Sequence, residues 1–337
     1  MKRVAVLDDY LHIAKASADW SVLEGRCQVD FLDRPLQVPH EAAEVLAPYH
    51  ALCHLRERMA MPRSLIERLP TLEFMTVTGK AHRTLDVQAA RDHGVLVSHV
   101  SSGVTGSSAT PEMAWGLILA TARHIALEDR LMRSGAAGEA SHWQHTTGTL
   151  LDGKTLGLLG LGRVGQHMAR IGIAFGMNVI AWSPNLTEDA AAVHGVRRVD
   201  REVLFGSSDV LSVHVVLSER SRHLVGVAEL ALMKRDAIFV NTARGGIVDE
   251  AALVEALGNG NIAGAGLDVF EQEPLPAGHV LRSMDNVVLT PHLGYAARDT
   301  FEGFYRSTVA GLAAWLDGNP MHLLDPSAAE NRRHRGN

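Results

Sequence analysis

The stretch Thr155–Gly165, TLGLLGLGRVG, decides the fold of this chain. It begins as an apolar strand and runs into three glycines, Gly160, Gly162 and Gly165, after which apolar residues recur at helical spacing. The first glycine permits a tight turn, the second lets a pyrophosphate approach the backbone, and the third lets helix and strand pack closely. A further apolar strand at residues 178–182 completes a strand–helix–strand context, and this pattern predicts a dinucleotide-binding site.

The residues around the glycine turn also bear on which cofactor binds. Backbone N–H groups of Arg163 and Val164 would face the phosphates from the first turn of the helix. At the end of the second strand, where an acid commonly holds the adenosine ribose, this chain has Ser183. Nothing there repels a 2′-phosphate, but the next basic residues are only Arg197 and Arg198. The sequence therefore leaves both NAD and NADP open, with NAD slightly favoured.

The remainder of the chain alternates short apolar runs with amphipathic segments, which predicts parallel strands covered by helices. Strands are expected near residues 4–7, 51–53, 74–77, 95–97, 237–240, 263–267 and 287–289. Thr110-Pro111 is expected to open a long helix, with the Thr110 hydroxyl as its cap, that continues to about Ser134. A last helix is expected over residues 296–317.

Composition narrows the class of protein. A chain of 337 residues is too long for one ordinary core, and 46% hydrophobic with 21% charged residues is typical of globular domains. The net charge of -6 argues against a nucleic-acid partner, and the longest apolar run, residues 113–122, is too short to cross a membrane. Two cysteines cannot build a disulfide framework, and the 18 histidines show no metal-ligand spacing. We therefore expect a cytoplasmic protein without a metal.

Three predicted strands are each followed by a polar segment, NTARGG at residues 241–246, DVFEQEP at 268–274 and TPHLG at 290–294. Ligands of open α/β sheets bind outside the carboxyl ends of the strands. Arg244, Glu273 and His292 are therefore expected to converge in one site. An arginine between the first strand and two glycines could also be a surface residue in a simple turn, so the argument depends on all three segments together.

The chemistry of these three residues fits hydride transfer at the C2 carbon of a 2-hydroxy or 2-keto acid. Arg244 offers a planar set of donors for the substrate carboxylate and the carbonyl oxygen. His292 can donate the proton that the oxygen needs as the hydride arrives, and remove it in the oxidative direction. Glu273 would accept the other imidazole N–H and fix the tautomer.

In this order, the glycine turn and the three segments resemble the D-isomer-specific 2-hydroxyacid dehydrogenase family over nearly the whole chain. The resemblance implies the same catalytic roles for Arg244, Glu273 and His292. It also implies an α/β fold in which a Rossmann-like doubly wound cofactor domain, residues 108–295, is inserted into a smaller flavodoxin-like parallel α/β substrate domain, residues 1–107 and 296–330. Family members usually pair through the helix after Pro111, so a homodimer is expected.

The resemblance further implies ligand contacts. Asp268 matches the position that contacts the nicotinamide carboxamide. Other expected cofactor contacts are Gly160, Gly162, Arg163, Val164, Gly165, Ser183, His214, Thr242, Ala243 and Gly294. Arg56, Gly79 and Lys80 are expected to bind the substrate together with Arg244 and His292, although Arg56 could equally pair with Glu57 or Glu112. The loop at residues 79–83 and the segment at 213–216 depart from the family pattern and leave the identity of the 2-keto acid open.

Two other functions remain compatible with the sequence. Phosphite oxidation on the same scaffold keeps the arginine, glutamate and histidine, whereas formate-oxidising relatives carry glutamine where this chain has Glu273. The second alternative is a non-catalytic NAD(H)-sensing binding protein, like the C-terminal-binding-protein corepressors. The intact set of three residues favours an enzyme that acts on glyoxylate, hydroxypyruvate or a similar small acid.

Overall fold

The computed structural model describes residues 1–36, 38–79, 82, 84–103, 109–135 and 143–328. The chain divides into two compact units. The first unit comprises residues 1–105 and 297–337, and the second comprises residues 106–296.

A five-stranded parallel sheet forms the centre of the first unit. Its strands are β1 (Lys2–Val6), β2 (Cys27–Phe31), β3 (Ala51–His54), β4 (Phe74–Thr78) and β5 (Leu96–Val100), and its helices are α1 (Pro39–Leu46), α2 (Arg63–Ile66), α3 (Val87–Asp92) and, near the end of the chain, α11 (Arg298–Leu316). The strand order is β2-β1-β3-β4-β5, and every neighbouring pair is parallel. This is the flavodoxin-like order, which reverses between β1 and β3.

Helices cover both faces of this sheet, which is why its central strands are apolar almost throughout. On one face, Leu52 and Met75 belong to a buried cluster with residues of α1, α2 and α3. On the other face, the ring of Phe74 stacks on Trp315 of α11, with 5.1 Å between the centroids and 5° between the planes. The polar residues of this unit are therefore confined largely to the ends of the strands.

The second unit contains a seven-stranded parallel sheet. Its elements are α4 (Ala109–Ala122), α5 (Ile125–Ser134), β6 (Thr155–Leu159), α6 (Arg163–Ala174), β7 (Asn178–Trp182), α7 (Glu188–Ala192), β8 (Arg197–Arg198), α8 (Arg201–Ser207), β9 (Val210–Val213), α9 (Val227–Leu232), β10 (Ile238–Asn241), α10 (Glu250–Gly258), β11 (Gly264–Leu267) and β12 (Val287–Leu289). The strand order is β12-β11-β10-β9-β6-β7-β8. It reverses between β6 and β9, as in a doubly wound Rossmann sheet. The predicted fold class is confirmed.

Two buried clusters hold this second sheet between its helices. Trp115 and Leu117 of α4 pack with Met168 of α6 on one face. Phe205 of α8 and Leu253 of α10 pack on the other face. With both faces closed, the carboxyl ends of the strands are the part of the sheet left to bind ligands.

The prediction of one long helix from Thr110 to about Ser134 is wrong. Helix α4 ends at Ala122, and His124 adopts a left-handed φ of 52° before α5 begins. The carbonyl oxygen of Ala122 accepts a hydrogen bond of 2.7 Å from the backbone N–H of Thr149, so the segment that contains Thr149 contacts the end of α4. The helix also begins at Ala109, so Thr110 lies in the first turn instead of capping it.

Candidate active site

The glycine turn follows β6 at the point where the strand order of the second sheet reverses. Gly160 has a φ of 106°, and a Cβ there would lie 2.9 Å from the carbonyl carbon of His214, which follows β9. A Cβ on Gly165 would lie 2.2 Å from the carbonyl oxygen of Gly160. These two glycines are thus required by close backbone approaches, whereas a Cβ on Gly162 would meet no atom within 4 Å. The open space beside Gly162 fits a pyrophosphate.

Helix α6 starts immediately after this turn. Its N-cap is Gly162, which offers no side chain to the free N–H groups of the first turn. Arg163 is exposed and Val164 is half-buried there. A phosphate would pair with such free donors and with the positive end of the helix dipole. The twelve-residue length of α6 makes that dipole substantial.

Two buried polar atoms near the glycine turn lack hydrogen bonds within the described part of the chain. Thr242 Oγ1 and His214 Nε2 are buried and have no hydrogen-bond partner among the residues that the structure describes. They follow β10 and β9, which lie on one side of the reversal, with β9 next to β6 and β10 next to β9. Burial lowers the pKa of His214, so this ring is neutral. The residues present therefore fit a dinucleotide, with Ser183 half-buried at the end of β7.

Arg244 lies in a turn that follows β10. The side chain of Asn241, the last residue of β10, stabilises this turn. The Asn241 side chain accepts a hydrogen bond from the N–H of Ala243 (3.0 Å) and donates one to the carbonyl oxygen of Arg244 (3.1 Å). Asn241 is 2% exposed, so these bonds are protected from water. The guanidinium Nη1 of Arg244 donates to the carbonyl oxygen of Ala243 at 2.6 Å.

The next residue, Gly245, connects this turn to the loop of Glu273. A Cβ on Gly245 would lie 1.9 Å from the carbonyl carbon of Phe270 and 2.4 Å from the nitrogen of Glu271. No side chain fits in that space, so the NTARGG and DVFEQEP segments touch through their backbones. The first glycine of the pair is therefore a packing requirement.

Glu273 and His292 form a direct pair. His292 Nδ1 and Glu273 Oε2 are 2.7 Å apart, and Glu273 Oε1 accepts a hydrogen bond of 2.9 Å from the N–H of Phe270. Burial acts to raise the pKa of Glu273, but the bonds to His292 and Phe270 and the charge of Arg244 outweigh it and hold the pKa below its usual value. The carboxylate is thus ionised and fixes the imidazole through Nδ1, and Nε2 bonds to no residue that the structure describes.

Asp268 holds the loop on which His292 lies. Its Oδ1 accepts hydrogen bonds from Thr290 Oγ1 (2.6 Å) and the N–H of Leu293 (2.7 Å), and its Oδ2 accepts from the N–H of Gly294 (2.7 Å). His292 adopts a φ of 57°, which is unfavourable for a residue with a side chain. The carboxylate binds both sides of this strained residue. Burial raises the pKa of Asp268 although all these bonds lower it.

Sequence reasoning missed several supports of the site. Thr110 donates from its hydroxyl to the carbonyl oxygen of Gly294 at 2.8 Å. Glu250, at the start of α10, accepts a hydrogen bond from the N–H of Glu271 (3.1 Å) and pairs with His279 (3.2 Å). The position of Asn241 in NTARGG was the available signal for its role. Thr110 and Glu250 gave none, because their partners are distant in sequence.

The predicted substrate residues of the first unit lie at the carboxyl ends of β3 and β4. Arg56 has a φ of 56°, and its N–H donates to Thr78 Oγ1 at 2.6 Å. Gly79 has a φ of 90°, and a Cβ there would lie 3.4 Å from Nη1 of Arg56. The structure thus places Arg56 and Gly79 together. Lys80 lies outside the described residues.

The described ranges contain neither a candidate membrane helix nor a candidate metal cluster. No helix there has both the length and the apolar character that a membrane span needs. No three His, Cys, Asp or Glu side chains of these residues are grouped so as to hold a metal ion.

Known proteins share this architecture and these segments. The family model described as "D-isomer specific 2-hydroxyacid dehydrogenase, NAD binding domain" matches residues 115–294. The chain is 39% identical to a glyoxylate reductase of Aeropyrum pernix over 273 residues, covering 80% of this chain and 81% of that protein. It is 40% identical to a hydroxypyruvate reductase of Thermotoga maritima over 245 residues, covering 71% and 76% of the two chains.

Among solved structures, a phosphoglycerate oxidoreductase of Vibrio cholerae superposes with a TM-score of 0.86 at 32% identity. The superposition covers 94% of this chain and all of that one. The match therefore extends over both units, beyond the segment that the family model covers. The chain belongs to the D-isomer-specific 2-hydroxyacid dehydrogenase family.

Proposed function

We propose that this protein is an NAD(P)-dependent dehydrogenase that interconverts a small 2-keto acid and the corresponding D-2-hydroxy acid. The observation that carries the proposal is the 2.7 Å contact between His292 and Glu273, with the charge of Arg244 acting on the same carboxylate. An imidazole fixed by an ionised carboxylate beside a guanidinium is the arrangement that carbonyl reduction requires.

The three side chains divide the work. Arg244 binds the substrate carboxylate and polarises the C2 carbonyl oxygen. A reduced nicotinamide cofactor, when bound, would supply the hydride to C2. His292 donates the proton on Nε2 to the carbonyl oxygen, which becomes the hydroxyl, and Glu273 stabilises the imidazolium before the transfer. In the oxidative direction His292 takes the same proton back.

We assign the cofactor to residues 106–296, and we assign further contacts to the substrate carboxylate, besides that of Arg244, to the first unit. Gly160, Gly162, Arg163, Val164 and Gly165 would hold the pyrophosphate. Ser183, His214, Thr242, Ala243, Asp268 and Gly294 would contact the remainder of the cofactor. Arg56 and Gly79, with Lys80, would bind the carboxylate, and the approach of Arg56 Nη1 to Gly79 supports this.

The choice between NAD and NADP slightly favours NAD. A 2′-phosphate needs a free cation near Ser183, and β8 carries the nearest arginines in sequence. Arg198 pairs with Asp200 at 3.0 Å, and Arg201 pairs with Glu229 at 2.6 Å. These two guanidinium groups are thus already engaged with carboxylates, whereas Arg197, the other arginine of β8, is exposed.

The proposed assembly is a cytoplasmic homodimer. Helix α5 buries none of its residues, and Ile125 and Met132 on it are 54% and 50% exposed. A second copy of the chain would cover such apolar side chains. Both cysteines, Cys27 and Cys53, are free and buried, which suits a reducing compartment.

A substrate panel tests the proposed activity. Initial rates with glyoxylate, hydroxypyruvate and phosphite, each with the matching redox form of NAD and NADP, separate the 2-keto acid reductase from a phosphite dehydrogenase. The His292→Ala variant should lower keto-acid reduction at least about a hundredfold at neutral pH, because it removes the proton donor. Its dissociation constant for NADH, measured by fluorescence titration, should stay near the wild-type value. Tight NADH binding without turnover of any acid would refute the enzyme and favour a nucleotide-sensing protein.

A further inference from the structure

Two buried histidines lie at the carboxyl edge of the sheet in the first unit. His54 is the last residue of β3, and His82 follows β4. They are 4% and 6% exposed, with 5.4 Å between their ring centroids and 83° between their planes. Ligands of open parallel sheets bind at this edge, and neither histidine has a place in the site described above.

Most nitrogens of this pair lack partners. Both ring nitrogens of His54 and Nε2 of His82 have no hydrogen bond within the part of the chain that the structure describes. The His82 ring does bond to the backbone of Arg56, whose own N–H is already given to Thr78. The His82 ring therefore donates to the Arg56 carbonyl oxygen, and because Nε2 has no partner the donor is Nδ1, which also lies 3.4 Å from Thr84 Oγ1. That proton on Nδ1 makes Nε2 a hydrogen-bond acceptor.

Both rings are neutral. Burial lowers the pKa of His54 to about 3, and burial likewise lowers the pKa of His82. Neither imidazole carries the charge that would attract a carboxylate. Unpaired buried polar atoms are costly, so a site with three of them calls for an uncharged hydrogen-bonding partner.

A hydroxyl group matches this set of atoms. It can donate its proton to an acceptor such as Nε2 of His82, and it can accept an N–H such as that of His54. A carbonyl oxygen cannot donate to His82, and an ammonium cannot accept from His54. The bond between His82 and the Arg56 backbone places this pair beside the residues assigned to the substrate carboxylate.

We propose that His54 and His82 bind a hydroxyl on C3 of the substrate and so select 3-hydroxy-2-keto acids over unsubstituted ones. This inference rests on the proposed function, in which Arg56 and Gly79 bind the carboxylate of the same molecule. The loop at residues 79–83 departs from the family pattern and leaves the identity of the substrate open. This inference specifies the class of substrate.

Hydroxypyruvate and pyruvate test the proposal, because they differ only in the C3 hydroxyl. The ratio of kcat/KM for hydroxypyruvate to kcat/KM for pyruvate should be at least about tenfold in the wild-type protein. His54→Leu and His82→Leu should each lower that ratio about tenfold, since each removes one bond to the hydroxyl. The double variant should lower it little further, because both side chains act on one group.

Two further variants guard against an unspecific effect. His54→Gln keeps a donor and an acceptor and should retain part of the preference, also in case His54→Leu fails to fold. His40→Leu makes the same exchange at a side chain of the first unit that is 72% exposed, and it should leave the ratio unchanged.

Glyoxylate, which has no C3 atom, distinguishes failure of the proposed activity from failure of the role proposed for His54 and His82. If the wild-type protein reduces none of the three acids, the proposed function itself fails. If it reduces glyoxylate while the ratio of hydroxypyruvate to pyruvate is near one, or is equal in all histidine variants, the activity stands and this inference is overturned. The histidine pair would then hold ordered water only.

Discussion

His292 and the His54–His82 pair lie at the carboxyl edges of two parallel sheets, but the protein surrounds them differently. Around His292, Glu273 forms a hydrogen bond with one ring nitrogen, and Asp268 accepts hydrogen bonds from three donors of the loop that carries His292. Around His54 and His82, three ring nitrogens lack partners among the described residues. Both regions are polar, but His54 and His82 are buried whereas His292 is half-buried and Glu273 is exposed. The first region leaves Nε2 of His292 for the reaction, and the second leaves three buried ring nitrogens for another molecule to bind.

We attribute this difference to the two tasks proposed for these regions. A proton donor must be held in one orientation before the substrate arrives, so its partners have to come from the protein. A specificity pocket distinguishes substrates by leaving polar atoms unpaired when the wrong substrate binds. The first arrangement contributes to folding stability, and the second reduces it. Mutations in the two regions should therefore change stability in opposite directions.

The largest effect is expected at the backbone contact that joins the Arg244 and Glu273 segments. In Gly245→Ala, the new Cβ would lie 1.9 Å from the Phe270 carbonyl carbon, so the two loops must separate. We expect a loss of about 3 kcal/mol or more in the free energy of unfolding, at the upper end for overpacked sites. Urea denaturation measures it.

Gly246 supplies the matched control for this substitution. A Cβ on Gly246 would lie 3.4 Å from side-chain atoms of Arg222 and Leu217, an ordinary contact with groups that can move. Gly246→Ala should therefore unfold close to the wild-type urea concentration. Equal midpoints for the two alanine variants would show that the backbones are not in close contact at Gly245.

The next effect concerns how Asp268 holds the His292 loop. In Asp268→Asn, the amide nitrogen must face either the N–H of Gly294 or the donors on Leu293 and Thr290, so one of these donors loses its acceptor. We expect kcat for keto-acid reduction to fall about tenfold, with a shift in the pH–rate profile, because His292 is displaced. Steady-state rates over a range of pH provide the measurement.

This variant also separates two roles of Asp268. A residue that only contacts the nicotinamide would raise the KM for the cofactor and leave kcat and the pH profile unchanged. Asp249→Asn, which alters another carboxylate that accepts a backbone N–H in the same unit, is the control and should change neither. An unchanged kcat in Asp268→Asn would contradict the positioning role.

Local sequence pattern was sufficient for much of this structure. The glycine turn, β7 and β12 were placed within the observed bounds, because apolar strands that end in glycine or polar segments leave a strong signal. Strand β2, helix α1 and the two-residue strand β8 were not predicted. Their sequences, such as CQVDF in β2, alternate weakly and rely on neighbouring elements for burial.

The three segments of the proposed active site stand out in the sequence, but the contacts that support them do not. The chemistry of Arg244, Glu273 and His292 could be read from residue types at strand ends. The left-handed φ of His292 and the three donors to Asp268 could not, since they depend on how two strands lie side by side. The break between α4 and α5 was missed for a similar reason. The segment at Thr149 that binds the end of α4 is 27 residues further along the chain than Ala122.

The last prediction reverses the usual outcome of a mutation in a buried site. In the absence of substrate, His54→Leu should raise the free energy of unfolding by about 1 kcal/mol at pH 7.5, because an apolar side chain of similar volume replaces two unpaired polar atoms. Thermal unfolding of wild-type protein, His54→Leu and His40→Leu gives the comparison. A loss of stability in His54→Leu alone would mean that the His54 nitrogens are already satisfied in the folded protein.

The same variant should respond to pH in a defined direction. The pKa of His54 is lowered from 6.5 to about 3 by burial, so below pH 6.5 the unfolded chain binds a proton that the folded protein does not. The free energy of unfolding of the wild-type protein therefore decreases as the pH is lowered from 6.5 to 3. This residue contributes a decrease of about 1 kcal/mol per pH unit. Replacing His54 by Leu removes that contribution, and its advantage over wild type should grow from pH 7.5 to pH 5. An advantage that shrinks in acid would mean that His54 is protonated in the folded state, and a charged pair could not bind a hydroxyl as described.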